Sequence, residues 1–256
     1  MITEYHRPVT LDETVSLIAR PALTLPMGGG IVLNAPHDLL FAVADLQSLG
    51  LDEIEIQGKF LRIGATASLR ALAESQDTSP ELRRVIELEA TANLRNQASV
   101  AGTLVSADGR SPFGCAMMAL GVQLHLLPGG DTVDYGQVLQ TRAGAADGLL
   151  YLPGRLILQA TLHSGTSLAY EYAARSPADR PVVAVAAARW PSGRLRIVVG
   201  GWGRVPRLAL DANDPGGVAE AVDSAAAAAG DEWATAEYRR DAAVKLARRA
   251  IDRLGM

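Results

Sequence analysis

The chain has 256 residues, with 24 Lys plus Arg against 28 Asp plus Glu and a formal net charge of −4. That balance gives no electrostatic reason to expect nucleic acid or an anionic membrane as partner, and the length suits one or two domains. A single cysteine, Cys115, excludes a disulfide scaffold and fits a reducing compartment. The first residues carry no basic segment followed by an apolar one. No apolar run is long enough to span a bilayer. The expectation is therefore a soluble, cytoplasmic protein with no membrane span. The four histidines, His6, His37, His125 and His163, are scattered, and with one cysteine they make no zinc, iron–sulfur or haem ligand pattern. Neither a G-x-S-x-G elbow nor a P-loop is present.

In chain order, Thr10-Leu11-Asp12-Glu13 has capping-box spacing and opens a helix with Leu11, Val15 and Ile18 on one face, stopped at Arg20-Pro21. Leu23 to Leu25 is a short strand leading into Met27-Gly28-Gly29-Gly30. Ile54 and Ile56, then Leu61 and Ile63, alternate around a Gly58-Lys59 turn and predict a hairpin between Asp52 and Gly64. Helices follow at Ser68 to Ser75 and Ser79 to Thr91, the second with Pro80 at its first position and Leu82, Val85 and Ile86 on one stripe. Asn93 to Pro112 reads as a polar, glycine-containing connection. A small-residue helix over Phe113 to Leu120 precedes a strand at Val122 to Leu127. Another strand is expected at Leu156 to Leu162. Pro181 to Arg189 and Arg194 to Gly200 form a hairpin closed by Trp190-Pro191-Ser192-Gly193. Helices at Val218 to Ala229 and Glu232 to Leu254 end the chain. Strands and helices without strict alternation predict an α+β fold, divided into residues 1–160, with a subdivision near 55, and residues 161–256.

Two small-residue segments carry the candidate chemistry. They are Met27-Gly28-Gly29-Gly30-Ile31 and Ser99-Val100-Ala101-Gly102-Thr103, with Asp108 beyond the second. Glycine-rich turns present backbone N–H groups to an anion because no Cβ blocks the approach, so two facing turns suit a pyrophosphate. Neither fits the G-x-G-x-x-G dinucleotide fingerprint. Elsewhere Cys115 reads as a buried inert thiol, and Tyr238-Arg239-Arg240 as an anchor for the last helix. Trp190, Trp202 and Trp233 read as packing residues.

The order of features along nearly the whole chain resembles the FAD-binding medium subunit of molybdenum hydroxylases, the carbon monoxide dehydrogenase and xanthine dehydrogenase group. Met27 to Leu33 stands where that family has an A-G-G-T-type loop. Leu61 to Ala67 is similar to its "IGA" block, and Leu94-Arg95-Asn96 through Leu104 to its "IRN-x-A-T-I-G-G-N-L" block. Ala101, Thr103, Pro112 and Ile31 depart from the family pattern. At Ala101 a positive φ would strain a residue with a side chain.

The resemblance implies a two-part FAD-binding domain of the vanillyl-alcohol-oxidase-like kind, followed by a smaller α+β domain. It also implies an oxidoreductase subunit without a catalytic side chain. Such a subunit passes electrons from iron–sulfur clusters on one partner chain through FAD to an acceptor. A third chain, the molybdopterin-binding large subunit, oxidises the substrate. FAD contacts are implied at Met27, Gly28, Gly29, Gly30, Ile31, Ser99, Val100, Ala101, Gly102, Thr103 and Asp108. Tyr170 is implied beside the isoalloxazine. The alternative is a degenerate, flavin-free structural or assembly subunit of such a complex. A free-standing flavin reductase is disfavoured, because no nicotinamide site is visible.

Overall fold

The computed structural model describes residues 1–35, 39–143 and 152–256, without the side chains of residues 142 and 143. His37 lies outside the described residues.

The first layer is a parallel three-stranded sheet. Strand β1 (Ile2–His6) leads into α1 (Leu11–Ala19), and β2 (Thr24–Met27) and β3 (Phe41–Asp45) follow, in sheet order β1-β3-β2. The first helix starts where its capping box places it. Thr10 Oγ1 accepts from the Glu13 amide at 3.2 Å, and the Glu13 carboxylate accepts from the Val9 amide at 3.0 Å. The central strand β3 was not expected from alternation. All five of its residues are buried, so Phe-Ala-Val-Ala-Asp shows no period of two.

The second layer is an antiparallel sheet of order β4-β5-β8-β6-β7. The expected hairpin forms it at one edge, with β4 (Ile54–Gln57) and β5 (Phe60–Gly64) in the register Ile54↔Ile63 and Ile56↔Leu61. Five helices intervene: α2 (Leu69–Glu74), α3 (Pro80–Glu89), α4 (Ala92–Gln97), α5 (Val100–Ser106) and α6 (Pro112–Ala119). The expected connection over Asn93 to Pro112 is corrected here. It holds α4 and α5, because Ser99 caps the second helix by accepting from the Gly102 amide at 3.2 Å. A glycine read as a loop residue is helical, and a Cβ on it would press on the Ser99 hydroxyl at 2.8 Å. The sheet continues with β6 (Gln123–Leu127), β7 (Asp131–Asp134) and, after α7 (Tyr135–Ala143), β8 (Leu156–His163).

The third layer is an antiparallel meander: β9 (Ser167–Ala173), β10 (Val183–Arg189), β11 (Leu195–Gly200) and β12 (Arg207–Ala212). Helices α8 (Val218–Ala225) and α9 (Ala236–Arg253) cover one face. The other face packs on α6, all eight residues of which are buried. Strand β10 shows why its run is apolar throughout. Val183, Val185 and Ala187 face the α8–α9 core, whereas Ala184, Ala186 and Ala188 face the α6 core.

Arg239 anchors α9 from within. It is fully buried, donates to the carbonyls of Val182 and Ala229, and pairs with Asp231 at 2.8 Å. Arg253 ties the end of α9 to Glu81 on α3 and Glu171 on β9.

Candidate functional site

A cleft of about 750 Å³ opens between the end of β2, the N-terminal turn of α5, the C-terminal end of α3 and the start of β8. Small-molecule sites span roughly 300–1,000 Å³, so its size suits a dinucleotide cofactor. Eight of the sequence-derived positions line it: Gly28, Gly29, Gly30 and Ile31 on one side, and Ser99, Ala101, Gly102 and Thr103 on the other.

The two sides approach closely because Gly28 and Gly29 lack side chains. An ideal Cβ on Gly28 would stand 2.9 Å from the Ser99 Cβ, and one on Gly29 would stand 2.7 Å from the carbonyl carbon of Gln97. Gly30 adopts φ +73°, which glycine takes without the cost a side chain adds. Gln47 Nε2 donates to the Gly28 carbonyl at 3.1 Å and fixes the loop from the β3 side.

The sides differ in what they offer a ligand. Among the described residues, the amides of Gly28, Gly29, Gly30 and Ile31 make no hydrogen bond. Four successive unbonded amides on residues that line a cleft are the kind of backbone donors an anion takes. The amides of residues 100–103 are all taken. Val100 donates to Ala67 (2.8 Å), Ala101 to Ala65 (3.1 Å) and Thr103 to the Ser99 carbonyl (2.9 Å), while Gly102 donates to the Ser99 hydroxyl. The second segment is therefore a close wall rather than a second cradle. Among the described residues no amino acid other than glycine has a positive φ, so Ala101 sits unstrained in its helix.

Four of the implied contacts lie elsewhere. Met27 is the last residue of β2, beneath the loop, where its sulfur would lie 3.4 Å from a Cβ on Gly30. Val100 is fully buried in the core. Asp108 is occupied in joining the second layer to the third: it pairs with Arg180 at 2.8 Å and accepts from the Arg110 amide at 2.9 Å. Tyr170 is fully enclosed in β9, 5.9 Å from the Tyr172 ring, and does not line the cleft. Its backbone is held by Glu81 and Arg84, and burial keeps its hydroxyl well above the usual tyrosine range.

Three charged residues that sequence reasoning missed line the cleft: Arg20, Arg155 and Glu89. Arg20 is spent on Glu4 and Thr24. Arg155 pairs with Asp131, but its Nε is enclosed without a hydrogen-bond partner, a donor that an anionic ligand would satisfy. Glu89 accepts from Ser111 Oγ at 2.8 Å and the Phe113 amide at 2.9 Å. Burial pushes its carboxyl above the usual range, against the pull of those donors and of Arg180. The sequence did hold a signal for it: Glu89 follows Leu82, Val85 and Ile86 on the apolar stripe of α3. Cys115, enclosed in α6, is pushed up to about 12 by burial and is inert. Among the described residues no three His, Cys, Asp or Glu side chains gather to hold a metal.

The glycine loop, the small-residue wall facing it and the cleft between have the form and size of a site for a phosphate-bearing cofactor. Residues 1–134 match the family described as the FAD binding domain in molybdopterin dehydrogenase, and the chain belongs to that family. Its cofactor is FAD. The protein is similar over 99% of its length to 97% of a chain in CO dehydrogenase from Oligotropha carboxidovorans, with TM-score 0.80 and 25% identity. It shares the fold of a chain in quinoline 2-oxidoreductase from Pseudomonas putida 86, with TM-score 0.76, 18% identity and coverage of 99% and 96%. In sequence it is 27% identical over 128 residues to the uncharacterized protein YgfM of Escherichia coli K12, 48% of this chain and 49% of that one. The chain thus spans about half the length of that curated relative. No helix among the described residues is long and apolar enough to cross a membrane.

Proposed function

We propose that this chain is the flavin subunit of a molybdenum hydroxylase, carrying electrons from iron–sulfur clusters on a partner chain to an acceptor. A molybdopterin-binding large subunit, on another chain again, would oxidise the substrate. When bound, FAD supplies the redox chemistry, while the protein supplies binding, orientation and electrostatics. The carrying observation is the row of free amides at Gly28 to Ile31, facing the wall of Ser99, Ala101, Gly102 and Thr103 across one cleft. The amides and the Arg155 guanidinium would hold the pyrophosphate, and Leu69, Leu94 and Val105 would cover apolar parts of the cofactor. These 256 residues hold only Cys115 and so no cluster ligand set, and the proposal assigns the clusters to a partner chain. The same reading divides the protein into a cofactor domain, residues 1–160, and a C-terminal domain, residues 161–256, in a heteromer of the cytoplasm.

The test is the absorption spectrum of the purified chain, identification of any released nucleotide, and titration of stripped protein with FAD and FMN. FAD, bound more tightly than FMN, is expected. A colourless protein that does not take up FAD would support the flavin-free structural subunit instead. Electron transfer is tested by reconstitution. Substrate should bleach the flavin only when the iron–sulfur and molybdenum chains are present, and bleaching in the isolated chain would refute the division of labour.

A further inference from the structure

Glu89 is the one acidic side chain lining the cleft among the described residues. Its position follows from α3. The helix buries Leu82, Val85 and Ile86 against the core and runs out at the cleft wall, so the next residue on that stripe faces the cleft. One carboxyl oxygen, Oε2, is fully used: it takes the Ser111 hydroxyl and the Phe113 amide at the start of α6. The other, Oε1, makes no hydrogen bond among the described residues, on a residue that lines the cleft.

The surrounding charges are committed elsewhere. Asp108 and Arg180 pair with each other from the loop after α5 and the loop before β10. On α4, Arg95 spends its Nη1 on the carbonyls of Glu87 and Ala90. Tyr170 faces the region from β9 as a neutral phenol, and Cys115 from α6 as a neutral thiol. None of these supplies a cation directly to Oε1.

We propose that Glu89 is a cofactor-positioning residue that meets FAD as the protonated acid, donating a hydrogen bond through Oε1, so that FAD binding takes up a proton. The inference rests on the FAD reading of the cleft. A ligand filling the cleft removes water from Oε1 and brings two phosphate charges, and both disfavour a carboxylate. Burial already raises this carboxyl before any ligand enters, and binding extends the shift in the same direction. The proton comes from solvent and no bond other than O–H forms. By linkage, the Kd for FAD should rise with pH between the ionisation of Glu89 in the free protein and in the complex. The slope approaches tenfold per pH unit and flattens on either side.

The experiment is calorimetric titration of the stripped full chain with FAD between pH 5 and pH 8, in buffers of different ionisation enthalpy. The wild type should take up as much as one proton per FAD within that range. Glu89→Gln keeps a donor toward the cleft and an acceptor for Ser111 and Phe113. It should bind FAD with a pH-independent Kd and no buffer-dependent heat. Thermal unfolding of the apo-variant confirms that it folds. FAD binding without proton uptake in the wild type overturns the proposal, as does wild-type pH dependence in Glu89→Gln. Failure of the folded wild type to bind FAD at all overturns the FAD reading and this inference with it.

Discussion

Gly29→Ala tests whether the first loop holds the cofactor. A Cβ there would stand 2.7 Å from the carbonyl carbon of Gln97, with the carbonyl oxygen nearer still. Carbon atoms settle at roughly 3.5–4.0 Å, and the nearer oxygen asks for more room still, so loop and α4 must separate by well over ~1 Å. Neither neighbour can yield by rotating a side chain, because the obstruction is backbone. The loop carries the free amides, and its separation tilts them away from the wall that completes the cleft. An amide donating to a charged acceptor contributes about 1.5–3 kcal/mol, so losing one such bond weakens FAD roughly 10- to 100-fold. The scaffold should survive, because Gly29 lies outside every strand and helix and outside the main core. Quenching of FAD fluorescence on titration gives the Kd, and a melting curve of the apo-protein reports the fold. A folded Gly29→Ala that binds FAD within threefold of wild type would refute the role of the loop.

Ala101→Gly should lower stability by about 1 kcal/mol in chemical denaturation without tightening FAD, since residue 101 is helical and its amide is bonded to Ala65. Arg239→Ala strips the Val182 and Ala229 carbonyls of a buried donor and should cost about 3 kcal/mol by the same measure; a loss below about 1 kcal/mol would show that the anchor is dispensable. Glu89 is raised in the folded state, so the folded protein holds its proton where the unfolded chain has lost it. Wild-type stability relative to Glu89→Gln should therefore fall as pH rises from the ordinary carboxylate range through the raised value, and a flat difference across pH 4–8 would contradict the burial. Cys115, pushed up to about 12, should resist a thiol reagent at pH 8 in the native state and react once the chain is unfolded.

The parts of this fold that were legible in the sequence are those where one local rule acts alone. Thr10 caps the helix it was expected to cap, Ser68 and Ser79 stand at the starts of helices expected from those residues, and Gly58 and Gly193 turn the two hairpins with φ +62° and +90°. What failed to show was set by neighbours distant in the chain. Strand β3 shows no alternation because the parallel sheet buries all its residues. Helix α5 was hidden by a glycine whose helical place depends on packing against Ser99. The site divides in the same way. The two small-residue segments were visible and do meet at one cleft, because Gly28 and Gly29 leave no Cβ to hold them apart. Which of them has donors to give was not visible, since the answer lies in Ala65 and Ala67, some 35 residues earlier in the chain, accepting from Ala101 and Val100. Glu89 stands between these cases. An acid on the apolar stripe of a capped helix is a mismatch that sequence alone displays, and it marks where the helix leaves the core and meets the cleft.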